Sequence, residues 1–581
     1  MKRTIFYSIA ALLTLSTVWS AAAQSTYTSA LAAKAKKGAT IYGTVECDGA
    51  PLAGVAVSDG YEVVLTDKKG VYQLPSAKRN GQVFITIPSG YEAMTEGDDV
   101  VPQYWAELTA DAATAERHDF ALRRVENDRH VIMAITDIHI ANHLDDIGQF
   151  KRNFMPRLRE EVEKYRSQGI PVYTMCMGDS SFDSFWYDFL FTIADFRHLL
   201  TDVKYPTQFF HSMGNHDNNG SHPYGNDTDF KAADIARKTF GPTYYSFNIG
   251  NVHYVMLDNI YYINKPTDAK TGKGIAGSRS NAILVSEEQL KWLEKDLALV
   301  TDKSTPIVIG MHSPIYKYRQ NHKPGEIITR FTDMERNRSL DEAYKLSSLL
   351  KDFAEVHFIT GHTHRNLTVH CKHDTDKPII ANTIDHNISS ICGAWWHTGA
   401  HGGLHLAPDS APAGFEVFPV DGKHIEWYYT SIDDGAEKQF RAFDMNSVRD
   451  YYRTNGEVRV FLSHYPNRAN FSDIKDNRVA IHVWAWEPTW TVTVKENGVE
   501  LPVIHRPMEN PQYAISYHLP KSIWRRELDV KRYDKQDKTP HMFHVTASSP
   551  TSTLEITVTD GFGRTYTETM TRPKEFSKWM R

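Results

Sequence analysis

The sequence predicts three consecutive units, β then α/β then β. A two-sheet α/β sandwich stands between a small N-terminal β-sandwich and a C-terminal β-rich domain. Three observations predict this order. Short β-type runs broken by turn residues fill the stretch before about residue 112; from His130 near-continuous apolar runs alternate with helical segments; beyond Val448 β-type runs return. The expected bounds are 38–124, 128–432 and 437–577, after a signal peptide at 1–23.

In the first unit the runs are Ala39–Val45, Val55–Val57, Tyr61–Thr66, Val71–Leu74 and Val83–Ile87. Asp48-Gly49, Asp59-Gly60, Lys69-Gly70 and Asn80-Gly81 separate them with turn chemistry. In the second unit His130–Thr136 is apolar almost throughout, as a strand covered on both faces requires. A helix is expected over Asp146–Gln168 and another over Phe185–Leu200, with strands at Pro171–Met177 and Pro206–Met213. Further strands are expected at Tyr244–Ile249, Val252–Leu257, Pro306–Met311 and Val356–Thr360, and helices near Glu287–Leu299 and Leu340–Phe353. Asn366–His370, Ile388–Cys392, Phe415–Val420 and His424–Thr430 read as strands completing the second sheet. In the last unit the expected strands are Val458–Leu462, Arg478–Trp484, Thr491–Val494, His544–Ala547 and Leu554–Val558.

Bulk properties exclude several classes. A chain of 581 residues with 41% hydrophobic and 12% aromatic residues is neither disordered nor fibrous. With 65 Lys+Arg against 71 Asp+Glu the net charge is −6, so no electrostatic footprint for duplex nucleic acid or an anionic bilayer is present. Lys2 and Arg3 precede an apolar stretch from Ile5 to Trp19, and Ala21-Ala22-Ala23 offers a cleavage site before Gln24. The apolar run falls short of the ~20 residues that span a bilayer. The expected product is exported, periplasmic or extracellular, and soluble, with no transmembrane segment in the mature chain. Four cysteines are too few for a disulfide framework; Cys371 and Cys392 either pair after export or are both core residues.

Polar, metal-type residues stand at the C-terminal ends of five apolar strands. They are Asp137-x-His139, Gly178-Asp179, Gly214-Asn215-His216-Asp217, His312 and Gly361-His362-Thr363-His364. Strand C-termini are where α/β sheets place ligands. Carboxylate, amide oxygen and neutral imidazole gathered there form an N,O set that suits divalent first-row metals and lacks the thiolates of structural zinc. Each piece alone is weak: Asp-x-His occurs by chance, and a lone His312 is more often a core histidine. Their order, each directly after a hydrophobic strand, is what carries weight.

With these motifs the chain resembles the calcineurin-like metallophosphoesterases, over about His130–Thr430, and its flanking domains resemble those of bacterial members that carry dedicated β-domains at both ends. The Gly54-to-Gly60 and Thr66-to-Tyr72 segments are similar to carboxypeptidase-regulatory (transthyretin-like) domains. The resemblance implies a dinuclear centre: one metal held by Asp137, His139, Asp179 and His364, the other by Asp179, Asn215, His312 and His362, with Asp179 bridging. Mn, Fe and Zn all suit these ligands, as divalent ions or, for Mn and Fe, as trivalent ones. Such a pair lowers the pKa of a bridging water and clamps phosphate oxygens for in-line attack on a phosphomonoester or phosphodiester. His216 would donate a proton to the leaving oxygen or stabilise charge there, with Asp217 orienting it. One departure is that Ser180-Ser181-Phe182-Asp183 follows Gly178-Asp179 where many members have a shorter turn.

Trp395, Trp396 and His397 either wall the pocket and contact substrate or pack as a strand end on the core. The same two readings stand for Phe182, Phe185, Trp186, Asn142 and His143. The expected partner is a small phosphorylated sugar, lipid or nucleotide. Competing readings are a nucleotidase or nuclease on the same core and a non-catalytic, metal-stabilised binding protein; the latter predicts a missing ligand or a lost His216, and all are present.

Overall fold

A computed structural model of the chain describes residues 33–264, 268–274, 281–318, 327–329, 339–370, 382–396, 399, 404–465, 470–520 and 538–580. The expected signal peptide, His397 and Cys371 lie outside the described residues; Cys392 is a buried thiol.

Two six-stranded sheets form the central unit. In the first, Arg129–Ile135, Val172–Cys176 and Gln208–His211 run parallel, in register so that Ile135 opposes Cys176 and Cys176 opposes His211. Gly414–Asp421 pairs antiparallel on the other side of Arg129–Ile135. In the second, Val252–Met256, Ile307–Gly310, Val356–Thr360 and Thr383–Asn387 run parallel, with Tyr245–Ile249 and Leu367–His370 antiparallel at the edges.

Side-chain alternation explains the layering. Ile132, Ala134, Tyr173, Met175 and Phe210 turn inward against Phe247, Tyr254, Met256 and Val308 of the facing sheet. Val131, Met133, Ile135, Val172, Cys176 and Phe209 turn outward under Phe154, Leu158, Phe196 and Leu200 from the helices. Both faces are apolar, so these strands read as unbroken hydrophobic runs. The polar motifs begin where the strands end.

Several expected elements shift. The long helix opens with one turn, Asp146–Gln149, passes through a π turn at Phe150–Phe154 and continues as Met155–Arg166. The second helix is confined to Ile193–Asp202, capped by Thr192 and Asp195; Asp183–Phe185 is only a 3-10 turn. The strand expected at Ile388–Cys392 is instead Thr383–Asn387, and the later segment turns past the sheet edge, where Ile391 N–H donates to Thr136 O at 3.3 Å. The strand expected at Val458–Leu462 is the helix Gly456–His464, capped by Asn455 at Val458 N. There an N-cap prevailed over β-branched composition.

The first unit has two sheets around Ile41, Val57, Tyr72, Val83 and Phe120, and this core is continuous with that of the central unit. The last unit carries two four-stranded sheets around Val479, Ile481, Val494 and Ile556. It meets the centre through Asn366 Nδ2, which donates to Trp484 O at 3.2 Å, and through Trp427 Nε1, which donates to Glu487 Oε1 at 3.0 Å. No helix among the described residues is long and apolar enough to cross a membrane.

Candidate metal centre

The aligned strand ends bring all seven predicted ligand residues together. His139 Nε2 faces His364 Nε2 at 2.9 Å, and Asp137 Oδ1 lies 3.3 Å from His364 Nε2. On the other side His362 Nδ1 is 2.8 Å from Asn215 Oδ1 and 3.0 Å from His312 Nε2. Asp179 Oδ2 stands between the halves, 3.6 Å from His139 Nε2 and 3.2 Å from His312 Nε2.

The backbone is bent to achieve this. Asp137, His139, Asp179, His362 and His364 all have positive φ, between 46° and 69°. L-residues other than Gly enter that region rarely and at a cost, and such strain gathers at functional sites. They make up five of the fourteen non-glycine residues in this state among the described residues, a concentration that random loop strain does not produce. The motif glycines serve close approach. A Cβ on Gly361 would come within 1.9 Å of Thr136 Oγ1, and one on Gly214 within 2.1 Å of Asp179 N.

Outer hydrogen bonds aim the remaining lone pairs inward. Asp137 Oδ2 accepts from His362 N at 2.7 Å and Thr136 Oγ1 at 2.9 Å; Asp179 Oδ1 accepts from His216 N at 2.7 Å. His312 Nδ1 donates to Met177 O at 2.7 Å and His364 Nδ1 to Gly393 O at 3.1 Å, so each presents Nε2 to the cluster. Burial pulls the Asp137 and Asp179 carboxyls upward, but the neighbouring imidazoles outweigh it and hold both well below the usual range. Burial likewise depresses His312, yet the Asp179 charge prevails and lifts it to about 9. Burial dominates at His139, which falls to about 4.

The donor set fits cations. Asp137 Oδ1 is buried without a hydrogen-bond partner. His139, Asp179 and His216, and likewise Asp179, His312 and His362, bring one ligand atom each to within 4.8 Å of one another. Converging lone pairs on buried carboxylate, amide and imidazole atoms repel one another unless positive charge lies between them.

The family model described as calcineurin-like phosphoesterase matches residues 130–366, and those for the N and C termini of the same phosphoesterase match 39–125 and 385–566. The chain belongs to the calcineurin-like phosphoesterases. It is a metal-dependent phosphoester hydrolase with a binuclear centre. No curated protein sequence matches it. Among solved structures, a dimetal phosphatase of Danio rerio aligns at 13% identity and a TM-score of 0.31, over 53% of this chain and 97% of the other. The GAP50 anchor of the Plasmodium inner membrane complex aligns at 13% identity and 0.28, over 53% and 86%. A 5'-nucleotidase of Candida albicans aligns at 12% and 0.29, over 54% of each chain. Identities this low say nothing about substrate.

Around this phosphoesterase centre two expectations need correction. The carboxylate on His216 is Asp183, whose Oδ1 accepts from Nδ1 at 2.6 Å. Asp217 instead accepts from Ser181 N and Gly214 N, both at 3.0 Å, tying two motif turns together. Burial and the nearby Asp179 charge raise its carboxyl to about 7. Asp183 reaches His216 because the 3-10 turn folds it back, with its own N–H donating to His216 O at 3.1 Å.

The tryptophans divide. Trp395 is half-buried, its ring 4.7 Å from that of His139 and 5.5 Å from that of His364. Trp396 is core: it is 2% exposed, and its Nε1 donates to Ile138 O at 2.6 Å. The pocket reading therefore fails for Trp396.

Proposed function

We propose that Asp137, His139, Asp179 and His364 hold one metal ion and Asp179, Asn215, His312 and His362 the other, for hydrolysis of a small phosphomonoester or phosphodiester. The observation carrying this assignment is the position of Asp179 Oδ2, within 3.6 Å of a histidine from each half while its Oδ1 is occupied by His216 N. When bound, the two ions supply Lewis-acid charge at the phosphate and make water acidic enough to attack at neutral pH.

The chain's own residues do the rest. Asp137 and Asp179 keep their outer oxygens engaged, so the inner oxygens cannot rotate away. His216 holds Nδ1–H on Asp183 and offers Nε2 to the leaving oxygen, where a proton is needed as the P–O bond breaks. Phe182, 4.6 Å from the His216 ring, limits its movement and excludes water. On this reading the divisions at 38–124, 128–432 and 437–577 are domains, and the basic-then-apolar start of the chain directs export.

The test is hydrolysis by the metal-reconstituted full chain of generic phosphomonoesters and phosphodiesters, followed by phosphorylated sugars, lipids and nucleotides. Metal-dependent turnover of at least one class, abolished by chelation, is expected. Two tightly bound ions with no turnover of any phosphoester would contradict the assignment.

A further inference from the structure

Beyond His216 and the Phe182 ring that holds it, the site continues into a band of rings to which proton transfer and metal binding give no role. The Phe182 ring lies 5.3 Å from Trp395, Phe185 lies 4.8 Å from Phe182, and Phe189 lies 4.8 Å from Phe185. His143 stacks on Phe185 at 4.6 Å and meets Phe189 edge-on at 4.8 Å. All five are half-buried. Successive ring steps thus lead from the side of His216 towards solvent.

At its outer end the band joins two loops, each presenting a leucine to water. Leu144, next to His143, is 50% exposed, and Leu190, next to Phe189, is 82% exposed. Both have positive φ, 48° and 50°. Asn or Gly would occupy such positions with less strain. Two leucines are thus kept where they neither ease the backbone nor bury themselves, and both flank the rings that lead to the centre. The loop carrying Leu190 is tied down, because Tyr187 Oη donates to Asn219 Oδ1 at 2.6 Å.

We propose that this band is a subsite for a hydrocarbon chain on the leaving-group side, so that the preferred substrate is an amphiphilic phosphoester. This rests on the phosphoester hydrolysis proposed above. A nucleobase or sugar would need polar groups to meet its edges, and apart from His143 the band has only aromatic and aliphatic side chains. Its run of rings also outreaches one base and finishes on aliphatic surface, which suits an extended chain.

The test uses the metal-reconstituted full chain with ethyl, hexyl and decyl phosphate, all below micelle-forming concentrations. From ethyl to decyl, kcat/KM should rise about tenfold or more, mainly through KM, as methylenes leave water. The double variant Leu144→Asn, Leu190→Asn should lose roughly fivefold of the decyl-to-ethyl ratio without a lower Tm, since Asn tolerates both φ values. Phe185→Ala should reduce the same ratio. Calorimetric binding of decylphosphonate against ethylphosphonate reads the subsite without turnover. Equal kcat/KM across chain lengths in an active enzyme would overturn the proposal. So would a preference that survives both variants, or one that emerges only above the micelle concentration. If no phosphoester is hydrolysed, the hydrolytic reading fails, and phosphonate binding still decides the subsite.

Discussion

Two polar clusters in this phosphoesterase each set buried histidine against buried aspartate, and they have opposite character. One is the metal centre. The other joins the first unit to the central sheets: Thr86 Oγ1 lies 2.9 Å from Ser246 Oγ, which donates to Asp296 Oδ1 at 2.7 Å, while Asp296 Oδ2 lies 2.9 Å from His253 Nε2. His253 Nδ1 is 2.9 Å from Asn248 Oδ1, and Asn248 Nδ2 donates to Ile87 O at 3.1 Å. In this joint every buried side-chain polar atom has a protein partner, and none of the five residues has positive φ. At the metal centre five residues are strained, and Asp137 Oδ1 has no hydrogen-bond partner. A polar cluster completed by protein is a joint; one left incomplete at the cost of strain is built for something else.

The predictions sharpen that contrast. The largest effect is expected at His216. His216→Ala should lower kcat by ~10²–10⁴ with little loss of metal. The loss should shrink for a nitrophenolate leaving group, which needs no proton; an equal loss for all leaving groups would indicate positioning alone.

Trp396→Ala should cost about 3–5 kcal/mol of stability, as large aromatic truncations do, with activity per folded molecule nearly unchanged. Melting and kinetics on the same preparation check this. Trp395→Ala should show the opposite pattern, a small change in melting and a raised KM. If the two variants behave alike, the division between core and pocket is mistaken.

At the joint, Asp296→Ala should destabilise the fold by about 2–4 kcal/mol by denaturant titration, because it leaves the His253 and Ser246 groups buried without their acceptor. Turnover per folded molecule should not move. A loss of metal in this variant would break the separation of the two clusters.

The smallest effect is expected for Asp183→Asn. A weaker acceptor on His216 Nδ1 should reduce kcat about 10–100-fold, the range for losing a partner that orients a functional histidine. A shifted pH–rate profile with unchanged KM would mark a positioning role.

The motifs were legible because each stands where an apolar strand stops, and that boundary is written in the residue types themselves. Parallel pairing in register then brings Asp137, Asp179 and Asn215 to one edge of the first sheet and His312, His362 and His364 to one edge of the second. The packing of the two sheets with the strained turns gathers them into one site. Asp183 was not legible, since its reach to His216 depends on a turn whose length departs from the usual pattern. Nor was the difference between Trp395 and Trp396, because Ile388–Cys392 leads into a turn rather than a strand and supplies no period to assign their sides. The strain at Asp137, His139 and Asp179 leaves no trace in composition.

The central claim is that the incomplete cluster is a two-ion site bridged by Asp179. Its most direct test is metal content per chain after chelation, reconstitution and removal of free metal, for the wild type and Asp179→Asn. The account predicts two ions per wild-type chain and at most one tightly held in a variant that still melts cooperatively. Two tightly bound ions with near-wild-type hydrolysis in Asp179→Asn, or fewer than two in the wild type, would contradict it.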